Sequence, residues 1–142
     1  MPLRFESHEQ AAASDLSVVD AGIDQHNRAE SEIRKVRQLA VFGRDVHGEV
    51  KGGAVGRTWG LCCELQQLWV EPEARGCGIG SELMERFEQE ADVRGCSLVY
   101  LDTFTFQAPQ FYEKRGYRVV FETRGFTNGI VKYTLQKTLG DG

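Results

Sequence analysis

The chain reads as a mixed α/β domain, on three observations. Several runs of alternating apolar and polar residues are joined by short turns. One long stretch in the middle carries a helical apolar period. That stretch lies between two of the alternating runs. Strand, helix, strand in sequence is a crossover unit, set here among runs whose short connections imply antiparallel neighbours. At 142 residues, with hydrophobic residues at 41% and charged residues at 27%, the chain has the material for one sizeable core, and residues 1–142 read as a single domain.

Leu3 to Glu6 reads as a short first strand. Leu16 to Ile33 places Leu16, Val19 and Ile23 near helical spacing, with Ser14 or Asp15 as cap and Gly22 as a point of weakness. Leu39 to Arg44, Glu49 to Trp59 and Leu61 to Val70 read as three strands of a meander. Gly52, Gly53 and Gly56 inside the second mark a bulge or a close backbone approach. Ile79, Leu83, Met84, Phe87 and Ala91 then line one helix face, with Gly95 as stop and the charged residues between Glu82 and Arg94 as a solvated face. Ser97 to Phe104 is a strand, Ala108 to Arg115 a short helix, and Tyr117 to Glu122 with Ile130 to Leu139 a closing hairpin that turns around Asn128-Gly129.

Charge and cysteine usage exclude several function classes. Lys and Arg number 17 against 21 Asp and Glu, a net charge of -4, which is a poor basis for sequence-independent nucleic-acid binding. Cys62, Cys63, Cys77 and Cys96 form no Cys-x-x-Cys pair, and His8, His26 and His47 share no ligand spacing with them, so no metal is expected. Reduced cysteines, no signal-peptide pattern and no long apolar run predict a cytoplasmic protein without a membrane segment.

The segment Arg75-Gly76-Cys77-Gly78-Ile79-Gly80-Ser81 stands between the third strand and the long helix. Glycines let backbone N–H groups approach an anion closely, the helix N-terminus favours negative charge, and Arg75 adds a cation. A pyrophosphate is the ligand this chemistry suits. Three readings share the spacing: a glycine turn that merely caps a helix, a dinucleotide site with Asp102 as its acid, and another phosphate-gripping fold. A Walker A loop is excluded because no Gly-Lys-Ser/Thr follows.

Two separated motifs choose among them. LQQLWVEPEARGCGIGSEL resembles the strand, R-G-x-G-x-G loop and helix of the GNAT superfamily of acetyl-CoA-dependent N-acetyltransferases. TFQAPQFYEKRGY resembles that family's A-x-x-F-Y-x-x-x-G-Y/F motif. The resemblance covers Leu65 to Phe121. It implies a mostly antiparallel mixed sheet of about six to seven strands, helices on both faces and a splayed central strand pair. It implies acetyl-CoA as acyl donor, with Leu68 and Val70 along the pantetheine arm and Arg75, Gly76, Cys77, Gly78, Ile79, Gly80 and Ser81 around the pyrophosphate. Thr105 stands where the family often has a cofactor-contacting asparagine. Tyr112 matches the family's general acid and Glu64 the base of some branches. The acceptor is a small-molecule or peptide amine, placed by the resemblance near Asp20 to Arg34 and Arg124 to Lys132, and a homodimer is compatible with it.

Acetyl transfer explains why such residues are needed. The amine must lose a proton, and the departing thiolate needs a hydrogen-bond donor or a proton. If the third strand is regular, Glu64, Gln66, Leu68 and Val70 share one face. Tyr112 and Phe111 are helix neighbours that point to different sides, so one is expected in the core and the other at the cofactor.

Overall fold

The computed structural model describes residues 2–140, which fall into two compact units divided between Lys35 and Val36. The first holds helix α1 (Ala13–Arg28) and a 3₁₀ turn (Ser31–Lys35). Gly22 does not break α1, which runs through it for 16 residues. Leu3 to Glu6 is not a strand. Two apolar residues without a ladder partner do not hold an extended segment in a sheet.

The second unit contains β1 (Arg37–Arg44), β2 (Val50–Trp59), β3 (Cys62–Val70), α2 (Ile79–Val93), β4 (Leu98–Phe104), α3 (Pro109–Lys114), β5 (Arg118–Thr123) and β6 (Lys132–Thr138). The six strands form one sheet in the order β1-β2-β3-β4-β6-β5. All neighbours are antiparallel except β3 and β4, the pair joined through α2. This is the mixed, mostly antiparallel α/β sheet that the sequence predicts. The closing hairpin forms as expected, with β6 inserted between β4 and β5.

One face of the sheet, here the inner face, is covered by α2 and α3. Leu83, Met84, Phe87 and Ala91 of α2 are buried against Leu39, Ala54, Cys63, Leu65, Val99, Leu101 and Leu135 from the strands, and Tyr112 and Tyr117 complete the core. The helical period of α2 therefore faces where its spacing directs it. Two of its charged residues do not belong to a solvated face. Glu88 is buried, and the Arg94 guanidinium hydrogen-bonds to the Gln38 carbonyl at 2.9 Å and to Thr58 Oγ1 at 3.1 Å. Both side chains lie where a polar partner across the core makes burial tolerable.

β3 is not regular. Val55 of β2 pairs with Gln67, but the next residue, Gly56, pairs with Leu65, so Gln66 is an extra residue bulged out of β3. Cys63 and Leu65 point inward before the bulge, and Leu68 and Val70 point inward after it. Glu64 therefore faces outward, away from Leu68 and Val70, which overturns the shared face that regular alternation predicts. Gly56 makes the bulge possible. A Cβ on it would stand 1.8 Å from the Glu64 carbonyl oxygen and 3.0 Å from Phe87 Cζ. The glycine run in β2 marks this close backbone approach.

Cys63, Cys96, Tyr112 and Tyr117 of the core titrate high because burial disfavours their charged forms. The Cys63 thiol and the Tyr112 hydroxyl are each pushed up to about 12, and the Tyr117 hydroxyl rises too, by burial and then by the neighbouring Glu88. In the unfolded chain these groups ionise near about 8.5 and about 10. The native state therefore holds its protons longer, and the associated stability is complete below about pH 9 and lost as pH rises toward 12. The urea midpoint, followed by circular dichroism, is expected to fall steadily above pH 9. Cys96, a second core thiol that burial raises, retains part of the loss in the thiol range, so replacing Cys63 by alanine should shrink the fall between about pH 9 and 10 without abolishing it.

Candidate active site

β3 and β4 pair only from Cys62–Leu98 to Glu64–Tyr100. Beyond that rung β4 continues with β6 while β3 continues with β2, so the two central strands part. A cleft of about 930 Å³ occupies the gap and passes through the sheet. Leu65, Leu68, Val70, Leu101, Thr103 and Tyr112 line it from the inner side. Phe42, Gly53, Val55, Gln67, Trp69 and Asp102 line it from the outer side.

The Arg75 loop closes one end. Gly76 and Gly78 adopt φ of 83° and 79°, a left-handed conformation open to glycine, and nothing lies within 4 Å of where their side chains would be. Gly78 is the N-cap of the 15-residue helix α2, and its carbonyl accepts the Glu82 N–H at 3.0 Å. The loop thus presents unencumbered backbone at the positive end of a helix dipole, which fits a pyrophosphate. Arg75 has a structural task as well: its Nε donates to the Val70 carbonyl at 2.9 Å and fastens the loop to the end of β3. Arg75, Gly76, Gly78, Ile79, Gly80 and Ser81 line the cleft, as do Leu68 and Val70. Cys77 does not. It is exposed, with its sulfur turned toward the Arg75 carbonyl.

Tyr112 lines the inner wall, buried to 9% exposure, its ring edge-on to Phe111 and Tyr117. Burial alone raises its hydroxyl, which has no hydrogen-bond partner among the described residues. Phe111 also reaches the cleft and packs near Gly80. The division of one residue to the core and one to the cofactor does not hold. A six-residue helix at the cleft mouth can show both neighbours to it.

Behind Tyr112 lies a buried polar cluster. Glu88 accepts from Tyr117 Oη at 3.0 Å and from Lys137 Nζ at 2.7 Å, with an Arg115 guanidinium nitrogen at 3.6 Å. Tyr117, so anchored, packs edge-on against Tyr112. Removing the carboxylate leaves the buried Tyr117 hydroxyl without its acceptor and half-buried Lys137 without its ion-pair partner, while Arg115 keeps Glu85 at 3.5 Å. Glu88→Leu is expected to cost about 2–3 kcal/mol in a denaturant titration. Glu88→Gln, which keeps an acceptor for the tyrosine, should cost less.

Besides Cys77, two sequence candidates lie outside the lining. Thr105 ties the end of β4 to the start of β6: its hydroxyl accepts the Val131 N–H at 3.3 Å and its own N–H donates to the Val131 carbonyl at 3.0 Å. Glu64 stands on the outer face at the last rung before the strands part. Arg57 Nε donates to its carboxylate at 2.9 Å. Conversely, Gln107, Phe42 and Trp69 line the cleft without a functional role assigned from sequence, and Asp102, considered there only as the acid of a dinucleotide site, lines it too. Gln107 Oε1 accepts the Phe104 N–H at 2.8 Å and the Thr103 hydroxyl at 3.2 Å, shaping the turn into α3. Only the strand register, which sequence spacing does not supply, could have brought Phe42, Trp69 and Asp102 together.

Comparison with known proteins agrees with this geometry. The acetyltransferase (GNAT) domain family matches residues 36–119. A Blasticidin-S acetyltransferase from Streptomyces morookaense is 36% identical over 109 residues, covering 76% of this chain and 80% of that protein. Among solved structures, one from Agrobacterium tumefaciens assigned to the acetyltransferases superposes with a TM-score of 0.81 at 27% identity, over 96% of this chain and 100% of its own. A Bacillus anthracis structure, assigned as a streptothricin acetyltransferase in complex with acetyl coenzyme A, shares the fold with a TM-score of 0.63 at 20% identity, over 72% of this chain and 62% of its own. The strands that part around a cleft, the glycine loop at its end and the tyrosine on its inner wall thus belong to a GNAT-family acetyltransferase, and the chain is an acyltransferase of that family.

Proposed function

We propose that the protein moves an acetyl group from acetyl-CoA to a primary amine of a small molecule, by direct attack with both substrates bound. The observation that carries this reading is the cleft through the sheet. It has an anion-ready loop at one end and is open on both faces between β3 and β4. Donor and acceptor can then meet from opposite sides without an acyl-enzyme.

Acetyl-CoA supplies the acyl group as a thioester. In this reading the backbone from Gly76 to Ser81 and the Arg75 side chain hold its pyrophosphate, and Leu68 and Val70 run beside its pantetheine arm. The amine nitrogen forms a bond to the acetyl carbon as the carbon–sulfur bond breaks, and the electron pair leaves on sulfur. Tyr112 donates a hydrogen bond to that sulfur. With its hydroxyl pushed up to about 12, against about 8.5 for a thiol, Tyr112 keeps its own proton and stabilises the thiolate instead of protonating it fully. The proton shed by the amine passes through water to Glu64, which Arg57 holds at the vertex of the cleft.

The name of the Streptomyces relative supports a small-molecule acceptor of the antibiotic type. Four free cysteines accord with a reducing, cytoplasmic setting. The test is thiol release from acetyl-CoA across nucleoside-type antibiotic amines, aminoglycosides, polyamines and amino acids. Amine-dependent release is expected. Acetyl-CoA binding without release for any amine would overturn the reading in favour of a non-catalytic binding module.

A further inference from the structure

The outer side of the cleft carries a feature that the acetyl-transfer reading does not use. Phe42 of β1, Gly53 of β2 and Trp69 of β3 are register partners in a single row across three strands, all facing outward. Neighbouring strands lie about 4.8 Å apart, so the two aromatic residues rise on either side of a glycine, with their backbones roughly 10 Å apart. Gly53 makes room for one wall: a Cβ there would come within 3.1 Å of Phe42 Cδ1 and 3.3 Å of the Val41 carbonyl, so the phenyl ring leans over the glycine, and the trough is the space left between that ring and Trp69. The next row, Ala40–Val55–Gln67, adds Val55 to one end of this trough.

Phe42 is 50% exposed and Trp69 is 49% exposed, and both line the same cleft as Tyr112. The Arg44 guanidinium lies 5.8 Å from the Phe42 ring centroid and occupies one face of it, so the stacking surface on this wall is the remaining face of Phe42 and the Trp69 ring. The charge of the lining narrows the ligand further. Its one cation among the described residues is Arg75, at the loop, and its one carboxylate is Asp102, on the outer side across the opening. Asp102 Oδ1 accepts from Thr134 Oγ1 at 2.5 Å, and Lys132 Nζ lies 3.8 Å from Oδ2. One partly compensated carboxylate suits one ammonium group. A polyamine or an aminoglycoside, with several cationic centres, asks for several acids.

We infer that the acceptor is a monocationic amine on a short arm carried by a planar ring. The ring lies in the trough between the Phe42 and Trp69 side chains, and the amine is drawn by Asp102 into the opening between β3 and β4. This rests on the acetyl-transfer reading and specifies its acceptor. The bulge at Gln66 makes the arrangement possible, because it turns Leu68 and Val70 to the inner, donor side while Gln67 and Trp69 stay on the outer side.

The experiment compares kcat/KM, with acetyl-CoA saturating, for tryptamine and tyramine against butylamine and spermidine. The wild type is expected to favour the ring-bearing amines by about tenfold or more, within the range that one apolar pocket discriminates. Trp69→Ala and Phe42→Ala should each bring the ratio of tryptamine to butylamine down toward unity through the acceptor KM, with the acetyl-CoA KM unchanged. Asp102→Asn should raise the KM of both amines alike. Equal use of ring-bearing and alkyl amines by the wild type would overturn the inference and leave acetyl transfer standing. So would an equal loss for both amines in Trp69→Ala. Absence of turnover with every amine overturns acetyl transfer itself, and the inference with it.

Discussion

Alanine in place of Gly56 is expected to cost the protein about 3 kcal/mol or more, and its donor site as well. The added methyl carbon would lie 1.8 Å from the Glu64 carbonyl oxygen and 2.9 Å from its carbon, both backbone atoms in the middle of a sheet, with Phe87 at 3.0 Å beyond. No rotamer change relieves that overlap. Either β2 and β3 separate, or β3 abandons the bulge and re-registers by one residue. Re-registering would turn Leu68 and Val70 outward and bring Trp69 into the core, which exchanges apolar packing for a misfit and removes the donor-side wall. A fall in Tm on the order of 10 °C by calorimetry is expected for a domain of this size. Acetyl-CoA binding, measured at a temperature where the variant remains folded, should also be lost. Gly43 in β1 is the control. Nothing lies within 4 Å of its would-be Cβ, so Gly43→Ala should stay within about 1 kcal/mol of the parent. A Gly56→Ala protein as stable as the Gly43→Ala protein would show that the bulge does not depend on this glycine.

Replacing Tyr112 by phenylalanine should lower kcat by roughly a hundredfold, leave the acetyl-CoA KM unchanged and spare the fold. The ring makes the packing contacts, edge-on to Phe111 and Tyr117 in the core, and phenylalanine keeps them. The hydroxyl has no hydrogen-bond partner among the described residues, and burial alone raises it to about 12. Removing a polar atom that satisfies no protein group leaves no orphan behind, so stability should change by under about 1 kcal/mol. A loss of activity at constant Tm therefore isolates the hydroxyl's role toward the departing sulfur. The same elevated value makes a second forecast for the wild type: Tyr112 stays protonated through neutral and mildly alkaline pH and adds no falling limb to the kcat profile below about pH 10. Unchanged kcat in Tyr112→Phe would remove the residue from the chemistry.

Much of the fold was legible because it rests on local pattern. The apolar period from Ile79 to Ala91 requires a helix with one buried face, and that face is the buried one. Alternation over β1, β2, β4 and β6 places each strand to within a few residues. The glycines at 76 and 78 are found at left-handed φ, as a turn into a helix demands. Leu3 to Glu6 failed as a strand because alternation over four residues specifies a face but no partner. Glu88 and Arg94 depart from a solvated helix face because each has a polar partner in the core from a distant part of the chain, which helical spacing does not reveal.

The sequence by itself therefore determined the family, the glycine turn into a helix at Arg75 to Ser81 and the tyrosine of the second motif, since each is written in contiguous residues whose backbone and side-chain chemistry is local. Tertiary structure alone decided which groups face each other across the sheet. One extra residue at Gln66, accommodated by Gly56 from another strand, inverts the facing of everything after it. That inversion separates Glu64 from Leu68 and Val70, and it sets Trp69 beside Gly53 and Phe42 on the outer face. Side chains alternate with a period of two, so a single bulge reverses their sense, and pairing with the neighbouring strand is what fixes where the bulge falls.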